Sequence, residues 1–317
     1  MKRLILAGVA AAAMFAAMSG AQAADKKTLV FVVNGASDFW KAAEAGVNKA
    51  QSELPNFKLE LKYPEQSSAA IQTRLMDDLV AAGVSGIMVS AVDPKTMTDA
   101  LDRVGKQVAL FTTDSDAPKS NRVAYIGSSN TAAGKQAGEI ALKAMPNGGK
   151  CMGFVGLPGA DNARERIEGF RDTIKGSKIE LVDVRADDID QTRAKRNVED
   201  TLTAHPEINC MVGYYSYNTP RIYEAVKEAG KLGKITIIGF DEDAITLGGV
   251  KEGTIAATVV QQPYEWGYQG MKLMAKYVEG DKSGIPANGL IIIPTKIIDK
   301  SNVDDFWKVL KERQGKS

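Results

Sequence analysis

The sequence predicts an α/β fold of two similar lobes in tandem, each a parallel sheet with helices on both faces. Strand-like and helix-like segments alternate along most of the chain, the pattern of a parallel sheet covered on both sides. Five short apolar runs bounded by glycine or polar residues read as buried parallel strands. They are Val30–Val33 before Asn34, Ile87–Val89 before Ser90, Leu110–Phe111 leading to Asp114, Met211–Val212 leading to Tyr215, and Ile235–Phe240 before Asp241. The intervals also repeat. Leu29 to Gly86 spans 57 residues and Cys151 to Cys210 spans 59, while Gly86 to Val108 spans 22 and Cys210 to Ile235 spans 25.

In chain order, the first strand leads into a helix whose apolar face is Ala43, Val47, Ala50 and Leu54, ended by Pro55. Extended Leu59–Tyr63 follows, then a helix carrying Ile71, Leu75 and Leu79. Near Ser128–Asn130 a strand runs straight into a helix, as a hinge between lobes would. The scheme then starts again. Cys151–Val155 is a strand, Ile167, Phe170 and Ile174 a helix face, Ile179–Val184 a strand, and Ile222, Val226 and Ala229 another helix face. The tail after Gln261 predicts a helix (Trp266–Val278), a strand (Leu290–Ile293) and an amphipathic helix (Val303–Leu310), a length that suits a return to the first lobe and back.

The ends and the composition bound the function. Lys2 and Arg3, an uncharged apolar run from Leu4 to Met18, and Ala21-Gln22-Ala23 form an export signal with cleavage expected after Ala23. The run is short for a membrane span of about 20 residues, and no other stretch suits membrane insertion. With 40 basic and 39 acidic residues the chain carries no footprint for nucleic acid. Cys151 and Cys210 each lie near the start of an expected strand and fit either a disulfide in an oxidising compartment or two buried thiols. The single histidine, His205, leaves no material for a zinc site or a Ser-His-Asp triad. Gly153-x-x-Gly156-x-x-Gly159 departs from the dinucleotide fingerprint, and Gly134-Lys135-Gln136 from a P-loop. No cofactor is expected.

In open α/β sheets ligands sit beyond the carboxyl ends of the strands, which makes the residues ending those runs candidates for one polar lining. Asn34-Gly35-Ala36-Ser37-Asp38-Phe39-Trp40 puts two adjacent aromatics at a helix start, where both cannot face the core. An aromatic face beside Asn34 and Asp38 suits a sugar, apolar on its C–H face and polar at its hydroxyl edge. In Asn162-Ala163-Arg164-Glu165-Arg166 a cation at a helix start is disfavoured unless it has another task. Arg164 is the expected ligand contact, its fork of donors bridging vicinal oxygens, and Arg166 is expected to be structural. Asp114 and Asp241 end matching strands of the two lobes, and each can accept two hydroxyl hydrogen bonds.

At this point the chain resembles the ribose-type family of bacterial periplasmic substrate-binding proteins of ABC importers. The resemblance spans residues 28–300, carried by Asn162–Phe170 (NARERIEGF), Leu202–Pro206 (LTAHP), Gly239–Asp241 (GFD) and Ile255–Gln261 (IAATVVQ). It implies the periplasmic binding protein fold, two Rossmann-like lobes joined by a three-segment hinge. The expected division is a signal peptide at 1–23, lobe one at 24–128 and 261–291, and lobe two at 129–260 and 292–317. The ligand contacts it implies fall on Asn34, Asp38, Phe39, Trp40, Ser90, Asp114, Arg164, Asp241 and Gln261. Departures add Ser115, where the family often has arginine, and Tyr215 with Asn218, where it has an asparagine. The second-lobe aromatic near Ile189 is missing.

The function expected is capture without chemistry. The protein is a periplasmic receptor, a monomer, that closes on a small neutral sugar or polyol and delivers it to an inner-membrane ABC permease. A receptor presenting the ligand to a chemoreceptor or sensor kinase is the alternative. A lactose-repressor-like regulator would need an N-terminal helix-turn-helix, which a strand starting at Thr28 behind an export signal leaves no room for. A secreted glycosidase would need two carboxylates across the scissile bond, which Asp114 and Asp241 could imitate.

Overall fold

The structure, a computed structural model, describes residues 26–313; the export signal and its cleavage after Ala23 lie outside the described residues. Lobe one opens with β1 (Lys27–Val32), α1 (Trp40–Glu53), β2 (Phe57–Lys62), α2 (Ala69–Ala81), β3 (Gly86–Val89), α3 (Pro94–Gly105), β4 (Ala109–Thr112) and β5 (Ala124–Gly127). Lobe two follows with α4 (Asn130–Ala144), β6 (Gly149–Val155), α5 (Asp161–Ile174), β7 (Ile179–Ala186), α6 (Gln191–Ala204), β8 (Cys210–Gly213), α7 (Asn218–Glu228), β9 (Thr236–Phe240), α8 (Ala244–Glu252) and β10 (Ala257–Val260). The tail adds α9 (Pro263–Val278), β11 (Leu290–Ile292), β12 (Lys296–Ile298) and α10 (Val303–Arg313).

The strands β3, β5, β8 and β10 are buried at every residue. Strands without a polar face need cover on both sides, which parallel sheets receive from their crossover helices. Two six-stranded sheets result, ordered β11-β5-β4-β3-β1-β2 and β12-β10-β9-β8-β6-β7. All pairings in the first are parallel. In the second, only β12 runs antiparallel to its neighbour, β10. β12 escaped the sequence reading because its three residues carry no periodicity.

The chain passes between the sheets three times: after β5, after β10, and between β11 and β12. Ile292 pairs with Gly127 in the first sheet, so the last crossing lies beyond the expected 291/292 boundary. The two crossing helices are held alike. A Cβ on Gly134 of α4 would lie 2.1 Å from the Arg166 carbonyl oxygen of α5, and one on Gly46 of α1 equally close to the Tyr264 carbonyl of α9. Only glycine permits these backbones to touch.

Cys151 and Cys210 stand opposite each other on β6 and β8 and form a disulfide, with their Cα atoms 4.3 Å apart. That decides between the two readings of the pair. One apolar cluster runs from Val30 and Val89 of lobe one to Val155, Leu157 and Tyr215 of lobe two, so the lobes meet along a packed seam.

Candidate functional site

Both carboxylates at the strand ends adopt the left-handed conformation, Asp114 with φ 55° and Asp241 with φ 65°. Aspartate tolerates this region better than most residues, and the turn swings each side chain into the space between the sheets. The turns are pinned the same way. The Asp114 carbonyl accepts from Asn130 Nδ2 at 2.8 Å, and the Asp241 carbonyl from Thr258 Oγ1 at 2.9 Å. The Asp114 carboxylate takes Ser90 Oγ at 2.8 Å, Asn34 Nδ2 at 3.3 Å, and Asn162 Nδ2 at 3.0 Å on each oxygen. Asp241 accepts from Gln261 Nε2 at 3.0 Å. Burial raises both carboxylates above their usual range, and the Arg166 guanidinium is the largest opposing influence on each.

Arg166 is the cation of this site. It is 1% exposed, and its Nε donates to Asn130 Oδ1 at 3.0 Å, Nη1 to the Tyr214 carbonyl at 2.8 Å, and Nη2 to Gln261 Oε1 at 2.7 Å and Asp114 Oδ1 at 3.5 Å. Of its five N–H groups, these bonds leave one on Nη1. The guanidinium also lies 5.0 Å from the centre of the Phe240 ring and 5.9 Å from that of Tyr215, a stacking that suits its planar, weakly hydrated cation.

Above this polar floor lies a narrow cavity of about 40 Å³, well below the usual volume of ligand sites. Its lobe-one wall is Gly35, Ser37, Phe39 and Trp40; its lobe-two wall is Ile189, Tyr215, Ser216 and Tyr217. Ile189 is held in the left-handed region, φ 63°, which a β-branched residue avoids. The strap that holds it is anchored on Asp187, whose carboxylate accepts from Tyr217 Oη at 2.5 Å, Asn218 Nδ2 at 2.7 Å and the Ile189 amide at 3.0 Å. Burial pushes Asp187 up to about 6 despite these donors.

A cleft between two Rossmann-like sheets, with a buried arginine and paired carboxylates under an aromatic wall, has known counterparts. Residues 28–282 match the family model described as the periplasmic binding protein domain. The chain belongs to that family. It falls in the ribose-type branch of ABC-importer binding proteins, whose members bind sugars and are not enzymes. The ribose import binding protein of Salmonella typhimurium is 26% identical over 279 residues, covering 87% of this chain and 93% of that protein. An Agrobacterium radiobacter carbohydrate transporter solute binding protein, solved with D-arabinose, has a TM-score of 0.83 and 27% identity, covering 90% of this chain and 99% of that one. A glucose-galactose binding protein from Geobacillus stearothermophilus follows at 0.81 and 30%, covering 88% and 99%. Such proteins are exported, and among the described residues no helix is long and apolar enough to cross a membrane.

Within this binding-protein frame, the structure brings Asn34, Phe39, Trp40, Asp114, Tyr215, Asp241 and Gln261 to the cavity. Five expected contacts stand elsewhere. Arg164 points outward from α5, 41% exposed, paired with Asp161 and Glu168; Arg166 holds the place expected for it, because it shares a helix face with Asn162 and Phe170. Asp38 projects into solvent and pairs with Lys41 at 2.8 Å. Ser90 lies behind Asp114 as its donor. Ser115 accepts from the Asp161 amide at 3.1 Å. Asn218 serves the Asp187 strap and accepts from the Tyr215 amide at 3.1 Å. Trp40 is only 2% exposed, its ring edge-on to Phe31 at 5.6 Å, so of the adjacent pair Phe39 is the more open to the cavity. Asn162, Arg166, Ile189 and Tyr217 also line it and were not expected there.

Proposed function

We propose that this chain is the periplasmic substrate-binding protein of an ABC importer. After cleavage behind Ala23, it captures one small neutral sugar or polyol between its lobes as a monomer and delivers it to an inner-membrane permease. The observation that carries this reading is the buried set Asp114, Arg166, Asp241 and Gln261 beneath Phe39. It offers acceptors, one remaining guanidinium N–H and an aromatic face, which match ring hydroxyls and a C–H face. The relatives named for ribose, arabinose, glucose and galactose support the class.

Binding of this kind shifts an equilibrium between open and closed lobes by the extra contacts made when closed. Two buried carboxylates against one guanidinium disfavour an anionic ligand, since a third negative charge at short range in a closed cleft is costly. The test is a thermal-shift series with D-ribose, D-arabinose, D-allose, D-glucose and D-galactose, with gluconate as the acid counterpart. A ligand at 100 times its dissociation constant stabilises by about 2.7 kcal/mol. A clear upward shift with a neutral sugar is expected, and a larger one with gluconate would overturn the charge argument.

A further inference from the structure

Helix α5 begins at Asp161 behind Ala160, which offers no side-chain cap. The first N–H groups of a helix need acceptors, and alanine is among the poorest residues at that position. The acceptor comes from the other lobe: the Asp161 amide donates to Ser115 Oγ at 3.1 Å. The neighbouring residues make a second bridge. Asn162 Nδ2 donates to both oxygens of Asp114 at 3.0 Å. Its own Oδ1 accepts from Tyr215 Oη at 3.0 Å and from the Ala163 amide at 2.7 Å, which fixes the amide with its donor edge toward Asp114. Ser115 and Asn162 are 0% and 2% exposed.

The arithmetic at Asp114 gives these bridges meaning. A carboxylate has about four lone-pair positions, and the donors from Ser90, Asn34, Asn162 and Arg166 already converge on them. Its acceptors are spent on the protein. Asp241, whose side-chain partner is Gln261, keeps capacity toward the cavity.

We infer that the Asp114–Ser115 turn and the first turn of α5 form a closing latch, in which Ser115 and Asn162 position one lobe on the other rather than grip the ligand. This rests on the capture reading above. Ser115 completes a helix cap that exists only when the lobes meet. A latch of this kind adds to the free energy of closure, which deepens the affinity for a ligand held between the lobes and slows its release.

The test compares Ser115→Ala, Asn162→Ala and Asn162→Asp, the last isosteric and setting two carboxylates face to face, with Arg164→Ala as a surface control. Small-angle scattering of the ligand-free proteins reads the latch directly. The radius of gyration should rise for all three latch variants, most for Asn162→Asp, and stay unchanged for the control. With D-ribose and D-arabinose as probes, stopped-flow tryptophan fluorescence should show dissociation about fivefold faster for Ser115→Ala. That is the factor of a lost cap of about 1 kcal/mol. Association should stay within about twofold. An unchanged radius of gyration in Asn162→Asp would overturn the latch, as would a loss of affinity in Ser115→Ala or Asn162→Ala that differs between the two sugars, which marks a ligand contact. If neither sugar binds, the scattering still decides the latch, and what fails is the choice of sugar class.

Discussion

Replacing Arg166 by alanine tests the centre of the site. The guanidinium is almost wholly buried and holds four polar partners. Removing it leaves Asp114 facing Asp241 without a counter-charge and strips the donors from Asn130 Oδ1, Gln261 Oε1 and the Tyr214 carbonyl. Breaking a buried pair from one side costs about 3–5 kcal/mol, and the orphaned acceptors share one network, so their costs do not add on top. Against a total stability of about 5–15 kcal/mol, Arg166→Ala is expected to lose about 3–5 kcal/mol in urea unfolding of the ligand-free protein and to lose sugar binding. Arg164→Ala removes only half-exposed ion pairs with Asp161 and Glu168, worth at most about 1 kcal/mol, and should bind normally. Arg166→Lys keeps the charge but not the fork, and falls between the two should the alanine variant not fold. An Arg164→Ala loss equal to that of Arg166→Ala would refute the assignment.

The disulfide closes a stretch of 59 residues, for which the chain-entropy account gives about 4 kcal/mol and measured bridges typically 2–4. Cys151→Ala/Cys210→Ala should lower the urea midpoint accordingly while leaving sugar affinity intact, because the bridge lies at the start of β8 and the cavity at the strand carboxyl ends; an unchanged midpoint would remove its stabilising role. Several buried or half-buried carboxylates titrate high in the folded state: Glu165 is pushed up to about 7 by burial and by Asp161, Asp187 to about 6, and Asp241 and Glu242 are raised by burial. Folded values above unfolded ones mean stability that is full below about pH 4 and lost as pH rises through 6 to 7. The ligand-free protein should therefore lose on the order of 1–3 kcal/mol between pH 5 and pH 8, Glu165 contributing least for its exposure. A denaturation midpoint that climbs over that range would contradict this.

The strand ends were legible because parallel strands buried on both faces are short apolar runs, and a polar residue that stops such a run lies where ligands bind. Asn34, Asp114, Tyr215, Asp241 and Gln261 came from that rule or from the resemblance beside it. The choice between the two arginines was legible as well, through a signal that helix-dipole reasoning outweighed. Ile167, Phe170 and Ile174 mark the buried face of α5, and Arg166 stands four residues before Phe170, while Arg164 shares its face with Glu168. Side chains four apart lie together, so the phase of the helix assigns Arg166 to the interior. The same phase puts Asn162 beside it.

The Ile189 strap and the α5 latch had no comparable signature, since both depend on residues far apart in sequence meeting through side chains. Ser115 meets Asp161 across 46 residues and Asp187 meets Tyr217 across 30, and no periodicity marks either pair. Their placement changes the charge balance that decides the ligand. Asp38 lies in solvent with Lys41, which leaves two carboxylates against Arg166 in the closed space, and Asp114 is already engaged by protein donors. The acceptor most open to a hydroxyl is then Asp241 in lobe two, and the ring face lies on Phe39 in lobe one. One ligand reaching both groups needs an apolar face on one side and hydroxyls on the other. That geometry is what would make sugar binding and lobe closure a single event.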